Sequence, residues 1–357
     1  MFKNYLKITV RNLVKNKVYS SINIIGLAIG IASCLLIFLW VQKELSYDKF
    51  HKNAHRIYRV ERELYRENAF SRWPITSGAY KQPLIDDFPE IENAVRFWGK
   101  EYAIHDSRGN IHRQAAWAVD NSIFQIFDFK LLQGDEQTAL KSPYSLVLTR
   151  EKAIALFGSA DVVGKSLVFE WEDKPTEFKV AGILHDIPLN SHMQFNMLVS
   201  ISSYPAEYFS NWRSNYLYTY VLLSKNVKWD RFEEKLKSFV SQRLAPFYGD
   251  LTHGEANIHE VLRMVLMPIT HIHLHPSSNW EIQPGGNAAS VFIFSSIALL
   301  ILIIACINFI NLSTARANKR AKEVGLRKSV GARNFQLQVQ FILESILLSV
   351  ISLVIAL

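Results

Sequence analysis

Long uncharged runs separate a membrane-type part of the chain from a large mixed part. Residues 22–41 and 290–312 contain 20 and 23 consecutive residues without a formal charge. As a helix the second run is roughly 34 Å long, which is enough to cross a hydrocarbon core of about 30 Å. A third apolar run, 337–357, surrounds a single acid, Glu344. The pattern predicts transmembrane helices 1 and 2 at 22–41 and 290–312. It predicts the truncated start of a third at 337–357, so we interpret the sequence as an N-terminal fragment of a longer chain.

The region between the first two runs, 42–289, mixes strand and helix patterns without a regular alternation. Alternating apolar residues and turn signals predict strands at 54–64, 95–104, 111–119, 166–171, 178–183 and 216–223. Helical patterns cover 78–87, 149–157 with Thr149 as N-cap, and 230–244 with one apolar face. Residues 265–274 lead back toward the second membrane run. This mixture predicts an α+β domain of two lobes, the middle lobe covering roughly 120–210.

The first 21 residues predict an amphipathic helix on the membrane surface, with a basic stripe that recurs every four positions. A cleaved signal peptide is an alternative, but the uncharged run at 22–41 is longer than the roughly 7–15 residues of such a segment. Ile31-Ala32-Ser33-Cys34 also matches a lipoprotein cleavage box. The residues after Cys34 stay apolar, where a lipoprotein becomes polar, so a retained membrane helix is favoured.

The net charge of +8 is concentrated beside the apolar runs. Residues 1–21 carry five bases and no acid, and residues 316–333 carry seven bases and one acid. Because Lys and Arg collect on the cytoplasmic side of membrane helices, both segments are predicted to be cytoplasmic and 42–289 to lie on the opposite, outer side of the membrane. The basic excess does not lie on a folded domain, which argues against a nucleic-acid partner. Both cysteines, Cys34 and Cys306, fall within the apolar runs, so the outer region has no disulfide available.

Small and polar residues in the predicted spans indicate helix packing. Gly26 and Gly30 form a G-x-x-x-G pair, a spacing that lets another helix backbone approach closely, although such pairs also occur by chance. Asn308 and Asn311 place two amides on one face near the inner end of the second span. An amide in lipid favours contact with protein, so this face is predicted to meet another span or a second subunit; a pore lining is less favoured.

Two motifs of the outer region are weak candidates for ligand chemistry. Residues 158–166 resemble a phosphate-binding loop but have five residues between the glycines instead of four, and a helix precedes them. A helix-ending turn is the favoured interpretation. His271, His273 and His275 alternate and could share one face of a strand as zinc ligands, but no fourth ligand is evident. A strand near the membrane with its polar side chains in water is favoured, so neither a metal nor a cofactor is predicted.

The most informative segment runs from Glu323 to Ala332 in the predicted cytoplasmic region 313–336. Its simplest interpretation is a solvated basic loop. However, Leu326 and Val330 give it an apolar component that such a loop does not need, and Gly325 and Gly331 are expected to interrupt helix continuation. The pattern favours a short amphipathic helix that faces a cytoplasmic protein.

At this segment the chain resembles the MacB/FtsX-type permease subunits of ABC transporters. The resemblance includes Ala315 to Ala332 apart from its variable positions, and Phe341-Ile-Leu-Glu-Ser345 in the third run. It extends to the N-terminal half through several short motifs: Asn23 to Gly30, Tyr47-Asp48-Lys49-Phe50, Ile57-Tyr58-Arg59-Val60, Leu156-Phe157-Gly158 and Asp186 to His192. Their order along the chain, together with the predicted topology, makes the resemblance specific.

This resemblance implies a multi-pass bacterial inner-membrane permease with a large periplasmic core domain between its first two spans. It implies a dimer with a second copy or second half, a separate cytoplasmic ABC ATPase, and contacts with lipids and a periplasmic adaptor. The segment that contacts the ATPase would include Glu323, Gly325, Leu326, Arg327, Lys328 and Gly331. The protein itself would have no catalytic residues and would export a peptide, antibiotic or lipid-like cargo. An FtsX-like regulator of a periplasmic partner is the alternative, and an extracytoplasmic enzyme is a third possibility without a recognisable catalytic set.

Overall fold

The computed structural model describes residues 11, 13–15, 17–66, 68–105, 111–172, 174–252, 257–276, 280–319, 321–330 and 334–357. These residues form two compact units. One unit combines Met1–Leu45 with Ala288–Leu357, and the other is Ser46–Asn287. The chain therefore leaves the first unit once, folds a separate unit, and returns.

The α-helices in chain order are α1 (Lys17–Leu45), α2 (Lys81–Asp87), α3 (Ile123–Ile126), α4 (Arg150–Phe157), α5 (Trp229–Phe239), α6 (Ala245–Tyr248), α7 (Ile258–Val261), α8 (Ile269–Ile272), α9 (Ala288–Lys319), α10 (Ala321–Ser329) and α11 (Asn334–Ala356). The strands are β1 (Ile57–Arg66), β2 (Ala69–Trp73), β3 (Thr76–Ser77), β4 (Ile91–His105), β5 (Ile111–Val119), β6 (Leu131–Gly134), β7 (Ser145–Thr149), β8 (Ser166–Trp171), β9 (Lys174–Leu184), β10 (Met197–Ser200), β11 (Asn215–Leu223) and β12 (Leu262–Pro268). Short 3₁₀ turns and one π turn at Val240–Leu244 join some of them.

Three helices of the first unit are long and apolar enough to cross a membrane. They are Lys17–Leu45, Ala288–Ala315 and Leu337–Ala356, and α1 packs against both α9 and α11. Both α1 and α9 are longer than the uncharged runs within them, because flanking Lys, Arg and Gln residues also favour helix and continue it. Residues 1–10, 12 and 16 of the predicted N-terminal surface helix lie outside the described part of the chain.

The Ser46–Asn287 unit is built on one sheet. Its described residues contribute twelve strands, nine of them in the order β12-β1-β11-β4-β5-β10-β7-β9-β6. Most neighbours are antiparallel, while β10 runs parallel to β5 and β9 runs parallel to β7. Strands and helices mix without a βα repeat, so the predicted α+β fold between the first two membrane helices is confirmed. Residues 120–210 add strands to this same sheet, and their division into a separate lobe stays a prediction.

Local sequence signals explain several elements of this unit. The Thr149 side chain accepts a hydrogen bond from the Lys152 N–H at 3.3 Å, which caps α4 as predicted. Gly158 ends α4 in the left-handed conformation at φ 73°, so the helix-ending turn is confirmed over the phosphate loop. Phe232, Leu236, Phe239 and Val240 are each about 1% exposed and form the predicted apolar face. The regular α-helix ends at Phe239, and a π turn at Val240–Leu244 continues the helical path to the predicted end at residue 244.

The secondary structure of residues 265–274, which lead from the sheet toward the first unit, differs from the prediction. β12 ends at Pro268, and α8 follows at once, so His271 lies on a helix rather than a strand. The His275 N–H donates to the His271 carbonyl at 3.0 Å, which continues the helical turn. The strand interpretation of 271–275 is therefore wrong. Proline has no N–H to donate to the hydrogen bonds between strands, so the strand ends at Pro268. Pro268 then occupies the N-cap position of the short helix, directly before its first residue.

Candidate functional site

The short helix α10 lies between two membrane-length helices in the chain. Its presence confirms the predicted helix. Leu326 within the helix is 70% exposed, and Val330, which directly follows the helix, is 82% exposed. Gly325 lies inside α10 rather than interrupting it, so that expectation is wrong; a glycine costs a helix only about 1 kcal/mol. A methyl group added at Gly325 would meet nothing within 4 Å, and Lys328 is exposed. Gly331, and the side chains of Glu323 and Arg327, lie outside the described part of the chain.

Two glycines of α1 lie against α9. A Cβ atom at Gly30 would lie 2.7 Å from the Cβ of Ala305, and one at Gly26 would lie 3.4 Å from Nδ2 of Asn308. Real Cβ atoms do not approach as closely as 2.7 Å, so the helices meet at a distance that only glycine allows at position 30. Asn311 is exposed within this single chain.

The α11 helix presents buried polar residues as well as apolar ones. Gln340 and Glu344 are 6% and 5% exposed, and they share a helix face with Leu337 and Leu348. On α1, which packs against α11, Asn23 is also buried. Ionisable side chains in membrane helices are costly unless they face protein, so this face serves packing within the unit rather than contact with lipid.

A group of buried polar residues lies in the Ser46–Asn287 unit, and we call it the connector cluster: Asp48, Arg59, Glu61, His192, Tyr220 and Glu281. The Arg59 side chain is fully buried on β1. Its Nε and Nη2 donate to Oε1 of Glu61 at 2.8 and 2.6 Å, and its Nη1 and Nη2 donate to the two carboxylate oxygens of Glu281 at 2.5 and 2.7 Å. One guanidinium thus binds two carboxylates that are 0% and 6% exposed.

The other half of the cluster surrounds Asp48, whose side chain is fully buried and whose φ is 58°. The Asp48 N–H donates to the Asn190 carbonyl at 2.8 Å. In return, the His192 N–H and the Ser191 hydroxyl donate to Oδ1 of Asp48 at 3.1 and 3.2 Å. Nδ1 of His192 lies 2.8 Å from Oδ2 of Asp48, and its Nε2 lies 2.8 Å from the Tyr220 hydroxyl.

The two halves meet at neighbouring strands, because Arg59 on β1 is directly opposite Tyr220 on β11. Burial opposes the charge of Arg59, but Glu61, Tyr220 and Glu281 outweigh it and raise the pKa of the guanidinium. Burial raises the pKa of the Tyr220 hydroxyl, which the charge of Arg59 partly offsets. Arg59 therefore stays charged and Tyr220 stays neutral at every physiological pH. Because both side chains are buried and each is bonded to other members of the cluster, the cluster is suited to holding the fold rather than to acid–base chemistry.

His51, next to this cluster, makes the unit sensitive to acid. Burial lowers the pKa of His51 to about 4, against a partial opposing effect of Asp48. Its ring is surrounded by aromatic side chains, and its Nδ1 accepts from the Asp128 N–H at 3.1 Å, so the neutral form fits. As the pH falls, His51 takes up its proton in the unfolded chain before it does so in the folded protein, because its pKa is higher in the unfolded chain. The contribution of neutral His51 to the free energy of unfolding is therefore fully present above pH 6.5 and is lost as the pH falls toward 4.

We expect His51→Asn to remove this dependence, since its amide oxygen can accept the same backbone hydrogen bond without titrating. The wild type should lose about 3 kcal/mol of unfolding free energy between about pH 6.5 and pH 4 through His51 alone. Urea titrations at several pH values, followed by tryptophan fluorescence, measure the difference between the two proteins. A difference that does not change with pH would contradict the assignment of the titration to His51.

The three histidines proposed as weak metal ligands do not converge. His273 is buried, and its ring stacks on Tyr47 with centroids 3.4 Å apart, while His271 and His275 are exposed. Within the described ranges, no group of three or more His, Cys, Asp or Glu side chains is arranged to hold a metal ion.

A cleft of about 580 Å³ lies among α5, α7 and β12, with Glu63, Glu233 and Arg263 in its lining. Glu233 accepts a hydrogen bond from the Leu266 N–H at 2.9 Å, and Glu63 binds Arg72 at 2.7 Å. Burial raises the pKa of Glu233 despite that hydrogen bond. These carboxylates are engaged in holding β12 and β1, so the cleft offers no evident catalytic arrangement.

Two family descriptions match the chain over most of its length. The MacB-like periplasmic core domain matches residues 20–239, and the FtsX-like permease C-terminal domain matches residues 295–357. The first match alone covers more than half of the chain. The chain belongs to the MacB/FtsX family of permeases.

Individual relatives match this MacB/FtsX-type chain over shorter stretches. The macrolide export ATP-binding/permease protein MacB of Bdellovibrio bacteriovorus is 37% identical over 73 residues, which is 20% of this chain and 11% of that protein. MacB of Neisseria meningitidis serogroup B is 37% identical over 59 residues, 16% of this chain and 9% of that protein. The chain thus matches about a tenth of the length of these relatives.

Solved structures of other permease domains also match. A domain of a putative permease from Porphyromonas gingivalis is 20% identical, with a TM-score of 0.49, and the match covers 61% of this chain and 91% of that domain. The periplasmic region of MacB from Actinobacillus actinomycetemcomitans is 15% identical, with a TM-score of 0.42 and the same two coverages.

The structure brings together two of the MacB/FtsX-type motifs that are far apart in the sequence. Tyr47-Asp48-Lys49-Phe50 and Asp186 to His192 meet through the bonds between Asp48 and His192. The roles of Glu61, Tyr220 and Glu281 were not predicted from the sequence. A usable signal was present for the first, because Arg59 and Glu61 are alternate residues of a strand and share one face. Glu281 had no such signal, since its partner lies 222 residues away.

Proposed function

We propose that this chain is a permease subunit of an ABC transporter. In this role it converts closure of a cytoplasmic ATPase into movement of the Ser46–Asn287 unit. The observation that carries the proposal is α10, a short helix with exposed apolar side chains between two membrane-length helices of a MacB/FtsX-type permease. If only water surrounded this segment, exposing the apolar side chains of Leu326 in the helix and of Val330 just after it would bring no gain. An ATPase surface that buries them is the partner that the family membership supports.

The proposed topology follows from charge. Lys and Arg cluster in 1–21 and 316–333, so we assign both segments to the cytoplasm and residues 42–289 to the periplasm of a bacterial inner membrane. A second permease copy or half would cover the exposed amides of Asn308 and Asn311. In this assignment the ATPase supplies all bond-breaking chemistry, and the chain supplies movement.

For the cargo we propose an amphiphilic molecule such as a peptide, an antibiotic or a lipid, moved outward. The relatives named as macrolide exporters support this broad class. A periplasmic adaptor that continues the export path is a further proposed partner.

We expect Arg327→Glu to abolish stimulation of the partner ATPase, because reversing one charge in a basic docking segment opposes an acidic partner surface. The measurement is ATP hydrolysis in inverted membrane vesicles, where a cytoplasmic α10 faces the added ATPase. Lys225→Glu is a matched charge reversal at an exposed turn of the other unit and should leave the rate unchanged.

Unchanged stimulation by the Arg327→Glu protein would contradict the assigned docking segment. Affinity purification of the full-length protein provides the second arm. A co-purifying ATPase supports the transporter, whereas a periplasmic hydrolase without any ATPase-dependent cargo movement would favour the FtsX-like regulator.

A further inference from the structure

The two segments that connect the Ser46–Asn287 unit to the membrane helices meet each other within that unit. The first segment follows Leu45, and the second precedes Ala288. Tyr47 of the first stacks face to face on His273, with an interplanar angle of 3°. The His273 carbonyl in turn accepts a hydrogen bond from the Gly286 N–H of the second at 2.7 Å. One residue therefore touches both segments.

The second segment is fixed to the adjacent strands β1 and β11, and the first segment reaches β11 through His192. In the second segment, Glu281 binds Arg59 of β1, and the Trp280 carbonyl accepts from the Tyr218 hydroxyl of β11 at 2.6 Å. In the first, Asp48 contacts His192, whose ring reaches Tyr220 of β11. Because Arg59 and Tyr220 are cross-strand neighbours, the connector cluster links the two segments through two adjacent strands.

The chemistry of the cluster is suited to holding the two connecting segments in a fixed geometry, rather than only to joining neighbouring side chains. Its links are charge-assisted or involve buried side chains, which hold geometry more tightly than exposed ion pairs do. A bidentate contact such as that between Arg59 and Glu281 fixes orientation as well as distance. By contrast, Arg243 and Asp87 form a similar pair that is half exposed and far from both segments in the sequence.

We infer that the connector cluster holds the two connecting segments as one rigid body, with Glu281 and Tyr220 as its positioning residues. A displacement of the segment after Leu45 then displaces the segment before Ala288 by the same amount. The use of this rigidity in transport rests on the proposed function, but the rigidity itself does not.

Hydrogen exchange of the full-length protein in detergent micelles, read by mass spectrometry, tests the inference. Glu281→Gln replaces one charged contact of Arg59 and keeps the other, to Glu61. We expect exchange to rise by about tenfold in residues 280–287 and, through the cluster, also in residues 46–52. Asp87→Asn is the matched control because it removes a carboxylate from an equally bidentate arginine pair, and it should leave both segments unchanged.

Faster exchange confined to 280–287 would overturn the inference, since Glu281 would then be a local contact only. Tyr220→Phe provides an independent test from β11, because it removes one hydroxyl and keeps the ring. It is expected to speed exchange at 46–52 and 280–287 together, and an effect at 46–52 alone would also overturn the rigid-body assignment. ATPase assays separate the two proposals. Absence of stimulation by the wild-type chain would refute the proposed function and leave the exchange result intact.

Discussion

Replacing Arg59 by methionine is expected to lower the unfolding free energy of the Ser46–Asn287 unit by about 3–5 kcal/mol, the usual cost of breaking a buried ion pair. The reason is the environment of its partners. Glu61 and Glu281 are 0% and 6% exposed, and without the guanidinium two carboxylates remain buried beside each other. Seven of the eight tryptophans lie in residues 46–287, so fluorescence during urea unfolding of the full-length protein in micelles reports on this unit.

A rescue variant separates the cost of unpaired buried carboxylates from the cost of lost packing around the arginine side chain. In Arg59→Met with Glu61→Gln and Glu281→Gln, no buried charge is left unpaired at this arginine site, and we expect about half or more of the lost stability to return. If the triple variant is as unstable as the single one, the loss comes from packing around the arginine stem rather than from the uncompensated carboxylates. Asp87→Asn, at a half-exposed pair, should cost about 0–1 kcal/mol.

Gly30→Ala is expected to force α1 and α9 apart. The added methyl would lie 2.7 Å from the Cβ of Ala305, and overpacking of this kind typically costs about 1–3 kcal/mol. The change can be followed at Cys34, whose thiol donates to the Ala298 carbonyl of α9 at 3.1 Å. In a Cys306→Ala background, a membrane-permeant maleimide should react faster with Cys34 once the helices separate.

The compensating swap gives this prediction its control. Gly30→Ala combined with Ala305→Gly moves one methyl group from α9 to α1 and should return the Cys34 reaction rate to that of the parent. Gly325→Ala, where an added methyl meets nothing within 4 Å, should have no effect on that rate. A fast reaction in the swapped protein would show that helix separation is not set by the contact between residues 30 and 305.

Local signals in the sequence were sufficient where structure depends on neighbouring residues. The hydropathy runs predicted the apolar helices, Thr149 and Gly158 marked both ends of α4, and the periodicity of 230–244 identified the residues that α5 buries. Each of these features depends on backbone geometry or on one helical face, and both can be read from a few consecutive positions.

Features that depend on distant contacts were not predictable in this way. The strand expected at 271–275 is a helical turn because Pro268 ends the ladder, and His273 is buried by Tyr47, which lies more than 200 residues earlier. The connector cluster joins residues from both ends of the unit, and no periodic pattern specifies such a pairing. Gly325 was misjudged because propensity alone does not decide whether a short helix continues.

The meeting of both connecting segments at His273 makes the Ser46–Asn287 unit a self-contained insertion. Nearby ends are the condition under which a whole domain can be inserted into another protein or exchanged without disturbing its host. Evolution can therefore replace or enlarge the strands and surface loops of this unit while the bundle of α1, α9 and α11 stays the same. Diversification of the inserted unit is separated, in this way, from maintenance of the three apolar helices.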